Sequence, residues 1–172
     1  MGKKRASFRG VVMPKEFDSV TALMQSLRRD FSGMVEAAHP VLREVGEEIK
    51  AHAQAKIGLL NPGWESLAPA TQAERERLGY APNEPLLRDG TLRDAITYDV
   101  DYDHVLIGVK SEQVTAATGK SVDIGDVAVW QEHGTETIPP RPFLAPALHE
   151  NAEHVGNLIA EHLVASIRRK VG

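Results

Sequence analysis

The segment QEHGTETIPPRPFLAPAL, from Gln131 to Leu148, constrains this chain more than any other stretch. Pro139, Pro140 and Pro142 each lock φ and remove a backbone donor, so neither a helix nor an interior strand runs through them. Paired prolines hold the backbone extended and stiff. Arg141 precedes Pro142 and is held extended too, with its side chain projecting. Gly134 suits a positive φ that ends a helix before the segment, and Pro146 suits the opening turn of a helix after it. The expected device is a rigid strap that docks the final helix at a set angle, with Arg141 exposed and Phe143 and Leu144 dropping into a core or a neighbour. The competing reading is a catalytic loop, with Glu132, His133 and Glu136 as an acid–base group beside Pro139 and Pro140.

Periodicity supplies the elements on either side. Asp18 or Ser19 caps a first helix to about Asp30, and Gly33 and Pro40 interrupt it. A longer helix is expected from Pro40 to about Leu60, striped by Val41, Val45, Ile49, Ala53, Ile57 and Leu60 and stopped by Asn61-Pro62-Gly63. Residues 64–90 read as a long ordered connection with one short helix over 69–78, anchored by Trp64, Leu67, Leu86 and Leu87. Residues 95–100 and 105–109 alternate in polarity around a polar turn and read as a hairpin. Residues 111–122 are small and polar, and a mobile loop is expected there. A helix over 123–132 buries Val127, Ala128 and Trp130. The last helix runs from Pro146 to about Arg169, striped by Leu148, Ala152, Val155, Ile159, Leu163 and Ile167. The fold class is α+β: long amphipathic helices packed on a small antiparallel β-sheet, in a single domain over 17–172 behind a basic arm at 1–16.

The totals narrow the chemistry. At 172 residues and 42% hydrophobic, the chain is long enough for one domain with a real core. Its net charge of −4 argues against a dedicated nucleic-acid binder. Lys3, Lys4 and Arg5 nevertheless offer a contact for DNA or an acidic partner, with solvated chain ends as the plainer reading. The absence of cysteine removes thiol catalysis and cysteine metal sites. No apolar run approaches the roughly 18 residues of a membrane span. A soluble protein made and assembled in the cytoplasm is expected, with no membrane contact.

Two motifs imitate catalytic ones. His149-Glu150-Asn151-Ala152-Glu153-His154 looks like a zinc-protease helix, but its histidines are five residues apart rather than four, about 140° around a helix. Ala117-Thr118-Gly119-Lys120-Ser121 ends like a phosphate loop without the leading glycine or the strand-to-helix context. No serine sits in a nucleophile elbow. No catalytic, cofactor-binding or metal residues are therefore assigned.

Four stretches in order carry a family resemblance. They are Trp64-Glu65-Ser66-Leu67; Pro85-Leu86-Leu87-Arg88-Asp89-Gly90-Thr91-Leu92; Trp130-Gln131-Glu132-His133-Gly134-Thr135; and Ile138-Pro139-Pro140-Arg141-Pro142-Phe143-Leu144. Over roughly residues 35–165 the chain resembles the tail-completion and virion morphogenesis proteins of long-tailed bacteriophages, which include minor tail proteins of the lambda Z type and neck components. Asp89 stands where Thr or Ser is frequent, Trp130 where Tyr is common, and the basic arm has no counterpart. The resemblance implies a structural, non-catalytic virion protein of the neck or tail end that completes the tail and joins it to the head. It also implies no cofactor and a homo-oligomeric ring, with a hexamer as the natural expectation. The partners implied are a tail terminator or tail tube protein and a head completion or connector protein, with passing contact to DNA in the lumen through Lys3, Lys4 and Arg5. Trp64, Leu86, Arg88, Trp130, Pro140, Arg141 and Phe143 are the interface candidates. The alternatives are a non-catalytic regulatory module of prophage origin and a metal-dependent hydrolase using His133 or the 149–154 cluster.

Overall fold

Val41, Val45, Ile49, Ala53 and Ile57 repeat along one helix face, and all are at most 6% exposed. That stripe is the axis on which the rest is built. The computed structural model describes residues 20–101, 104–115 and 119–171. In chain order the elements are α1 (Val20–Lys56), α2 (Pro69–Arg77), α3 (Thr91–Asp94), β1 (Ile96–Val100), β2 (Val105–Val109), β3 (Gln113–Thr115), β4 (Ser121–Asp123), α4 (Ile124–His133) and α5 (Leu144–Val171). α1 packs along α5 on one side and against β1 and β2 on the other. Leu92, Ile96, Ile124, Ala128, Phe143 and Ala147 close the core over the α1 stripe. The fold is α+β, as expected.

α1 corrects the reading of two helices divided at Gly33 and Pro40: one helix runs through both, with Pro40 inside it. An interior proline costs about 3 kcal/mol or more where it breaks a helix. Here Pro40 and Glu36, whose carbonyl loses its partner, are both exposed. Water can satisfy that carbonyl, and the buried residues that follow hold the helix in place. α1 also stops at Lys56, short of Leu60. Gly58 takes φ 91°, and its N–H turns away to the Pro85 carbonyl at 2.9 Å.

β1 and β2 pair antiparallel, from Ile96 opposite Val109 to Val100 opposite Val105. Ile96 is buried and Tyr98 half-buried, while Thr97 and Asp99 face water. Residues 111–122, expected as a mobile loop, hold a second hairpin instead: β3 pairs with β4, Gln113 opposite Asp123 and Thr115 opposite Ser121. Only Val114 and Val122 bring apolar side chains to it, too few for periodicity to reveal. Hydrogen bonds fasten its ends, from Ser121 Oγ to Gln113 Oε1 at 2.8 Å and from Ser111 Oγ to Asp123 Oδ2.

Asp123 caps α4, accepting from the Gly125 N–H at 2.7 Å. α5 starts at Leu144, two residues before Pro146. The Glu132 carboxylate reaches across and accepts from the N–H groups of Phe143, Leu144 and Ala145 at 2.8, 3.0 and 2.8 Å. These are donors that a helix start leaves without intrahelical partners, and a negative charge there also suits the helix dipole. With Phe143 and Ala147 turned inward, α5 packs through Val155, Leu158 and Ile159. The expected stripe is therefore corrected at its ends. Leu148 and Ile167 are 48% and 47% exposed, and Ala152 faces water.

Candidate binding clefts on either side of the proline strap

An extended backbone sends alternate side chains to opposite sides. In the strap, Arg141 faces one cleft while Pro140 and Pro142 face another. The first cleft has a volume of about 350 Å³ and is lined by Arg75, Leu86, Arg88, Asp89, Gln131 and Arg141 together with apolar residues of β3, β4 and α4. Arg141 corrects the expectation of an exposed side chain, being only 6% exposed. Its N–H donates to the Gln131 carbonyl at 2.6 Å, and its Nη2 to the Glu65 carbonyl at 3.1 Å. A pre-proline position fixes the backbone but says nothing of what the side chain meets. The partners come from residues 65 and 131, on separate segments.

Two further arginines shape this cleft. Arg75 Nη1 donates to the carbonyls of Glu84 and Leu87, each at 2.8 Å, and so ties the 80–90 connection to α2. Burial makes its guanidinium less basic than usual, the charges of Arg88 and Arg141 add to this, and Glu84 opposes it. Arg88 bonds Asp89 at 3.0 Å and lies over the Tyr80 ring. Burial pushes the Asp89 carboxyl up. Hydrogen bonds from the Thr91 hydroxyl and N–H, with Arg88, outweigh it and hold the pKa at about 2. Leu86 carries φ 65°, a left-handed conformation that a leucine adopts only under strain. Buried Arg141 Nε and Gln131 Oε1 have no hydrogen-bond partner among the described residues.

The second cleft, about 370 Å³, is lined by Lys56, Asn61, Trp64, Pro140, Pro142 and Glu150. Lys56 Nζ bonds Glu150 at 2.7 Å and so links α1 to α5 beneath the strap. His154 Nε2 lies 3.4 Å from Glu48 on α1. The histidine helix thus faces α1 through single pairs, and no group of three metal-capable side chains occurs among the described residues. The carboxylate of Glu132 is taken up by the start of α5, while His133 and Glu136 are exposed.

The interface candidates therefore separate. Leu86, Arg88 and Arg141 meet in one cleft; Trp64 and Pro140 meet in the other. Trp130 is not buried in α4 as expected but is 41% exposed beside exposed Val129. Phe143 is fully buried, so it belongs to the core rather than to a surface. Lys3, Lys4 and Arg5 lie outside the described residues, as does the boundary at residues 16 and 17. Sequence reasoning missed Arg75 and Gln131, and it read Glu132 as chemistry rather than as a cap. Only the position of Glu132, eleven residues before Phe143 across a turn built by Gly134 and prolines, hinted at that role.

A helix pair clamped by a proline strap, with clefts on both of its sides, defines a small α+β protein with clefts at the joints between its elements. The phage virion morphogenesis family matches residues 15–164, and the chain belongs to that family. It is thereby a bacteriophage protein of virion morphogenesis. No curated protein and no solved structure shows a comparable match. No helix among the described residues is long and apolar enough to cross a membrane.

Proposed function

We propose that this protein completes the tail of a long-tailed bacteriophage and joins it to the head, acting without catalysis as one subunit of a ring at the neck or tail end. The observation that carries the reading is the apolar surface that a virion morphogenesis protein leaves in water. Val129 and Trp130 on α4, and Leu148, Val164 and Ile167 on α5, are each between 41% and 56% exposed. Trp130 is of the residue type that most often anchors a protein interface, and the aliphatic side chains add apolar area for a partner to cover. Neighbouring copies in the ring cover them, and six subunits is the expected number. A tail terminator or tail tube protein on one side of the ring, and a head completion or connector protein on the other, complete the joint. Lys3, Lys4 and Arg5, outside the described residues, are the proposed contact for passing DNA or an acidic neighbour. Native mass spectrometry of the full chain tests the ring: a six-subunit species is expected, and Trp130→Asp should return it to monomer with an unchanged melting temperature. A wild-type chain that stays monomeric at every concentration contradicts the ring. Charge reversal of Lys3, Lys4 and Arg5 should weaken assembly in a salt-dependent way, and salt-insensitive assembly contradicts their role.

A further inference from the structure

We propose that the cleft holding Arg141 is a receptor for a peptide-borne carboxylate, an acidic side chain flanked by apolar residues and presented by a neighbouring virion protein. The charge balance comes first. The lining holds Arg75, Arg88 and Arg141 against the single carboxylate of Asp89. This excess of positive charge stands in a protein whose net charge is −4. Asp89 is already engaged by Arg88 and by the Thr91 N–H. Arg75 spends its hydrogen bonds on neutral carbonyls, and only the charge of Glu84 offsets the burial and the neighbouring arginines around it. A cluster of guanidinium groups in excess of its counter-charges, in a partly dry cleft, attracts a carboxylate.

The unpartnered atoms narrow the ligand. Arg141 is 6% exposed, its Nε donor has no partner among the described residues, and the same holds for the acceptor Gln131 Oε1 on the same cleft wall. An anion with no donor, such as acetate, would satisfy the arginine and leave the glutamine oxygen unpaired. A peptide satisfies both, because its carboxylate or carbonyl oxygen accepts from Arg141 and its backbone N–H donates to Gln131. Leu67, Leu86, Ile124 and Val127 supply apolar wall for flanking side chains, and about 350 Å³ falls in the range of sites for small ligands. The strained backbone of Leu86 lies in the same wall, and strain of this kind gathers at binding sites.

The inference deepens the joining role, and it rests on that role only for the identity of the partner. The test uses the full chain, labelled for arginine side-chain NMR and titrated with the tripeptide N-acetyl-Leu-Glu-Leu-amide. Its Leu-Gln-Leu counterpart, sodium acetate and inorganic phosphate serve as comparisons. The acidic tripeptide should shift the Arg141 Nε–H resonance and saturate, with the neutral peptide at least tenfold weaker. Arg141→Gln removes the bond to Glu65 and risks the fold, so Arg88→Gln, at a half-buried position beside exposed Asp89, is the informative variant. It should weaken the acidic peptide about tenfold while leaving the neutral peptide unchanged. Equal binding of the two peptides, an unmoved Arg141 resonance, or acetate or phosphate binding as well as the peptide would each overturn the proposal. Peptide binding by a protein that forms no head–tail joint would keep the cleft and remove the joining role. Joined virions without peptide binding would do the reverse.

Discussion

Single side chains hold this fold at points where no local pattern announces them. Phe143 has no exposed surface and closes the core where the strap meets α5. Truncating it to alanine should cost about 3–5 kcal/mol in a denaturant titration, the usual range for a buried phenylalanine. An unchanged midpoint combined with failed assembly would return Phe143 to an interface. Glu132 satisfies three N–H groups at the start of α5. Glu132→Ala should lose about 1–2 kcal/mol, as for loss of a strong helix cap, and Glu132→Gln should lose less because one acceptor oxygen survives. Asp89 gives a pH prediction. Its folded pKa of about 2 lies below the ordinary 3.8, so the unfolded chain takes up the proton first as pH falls. The stabilisation is complete above about pH 4 and is lost as pH drops toward 2. The side chain is 39% exposed, so water screens the effect and keeps it small. Urea midpoints between pH 5 and pH 3 should fall more steeply for the wild type than for Asp89→Asn; parallel slopes would contradict the assignment. Phe143 was legible in the sequence as an apolar residue after a stiff segment. The burial of Arg141 was not, because its partners lie on segments brought together only by folding.

At the scale of elements, the legible parts are those with a strong period. The stripe from Val41 to Ile57 and the alternation across 96–109 located the core helix and the first hairpin. The β3–β4 hairpin was not legible, since three-residue strands held by side-chain hydrogen bonds carry almost no hydrophobic signal. The continuity of α1 through Pro40 was masked by the rule that proline ends helices, which yields when the lost bond faces water and the adjoining turns are packed. The α1–β1 joint depends on Gly46, which is buried in α1 where an added Cβ would strike the Tyr98 ring. Glycine to alanine in a helix interior ordinarily gains about 1 kcal/mol. Gly46→Ala should instead destabilise by about 1–3 kcal/mol, because the ring must move out of a packed site. A gain in melting temperature would show that Tyr98 shifts freely. Gly134 is the corresponding point in the strap. At φ 75°, its Cβ would fall 2.9 Å from the Ile138 carbonyl oxygen, so only glycine lets the chain turn from α4 into the prolines.

At the scale of the whole molecule, one pair of packed helices sets the frame, and the strap between α4 and α5 opens a cleft on each of its sides. The proline strap is thus a strut, and it is also a wall of two candidate binding surfaces. Family membership fits that division of labour, since a morphogenesis protein needs rigid, shaped contacts. The four ordered stretches made the family legible in the sequence; the pairing of Arg141 with Gln131 and Arg88 in one cleft needed the fold. The measurement that tests the joining role most directly is negative-stain microscopy of a lysate from a phage with this gene inactivated. Filled heads lying beside separate, unjoined or over-long tails are the expected result, with joining restored by the wild-type gene and not by Trp130→Asp. Complete, normal virions in the absence of the gene would contradict the account.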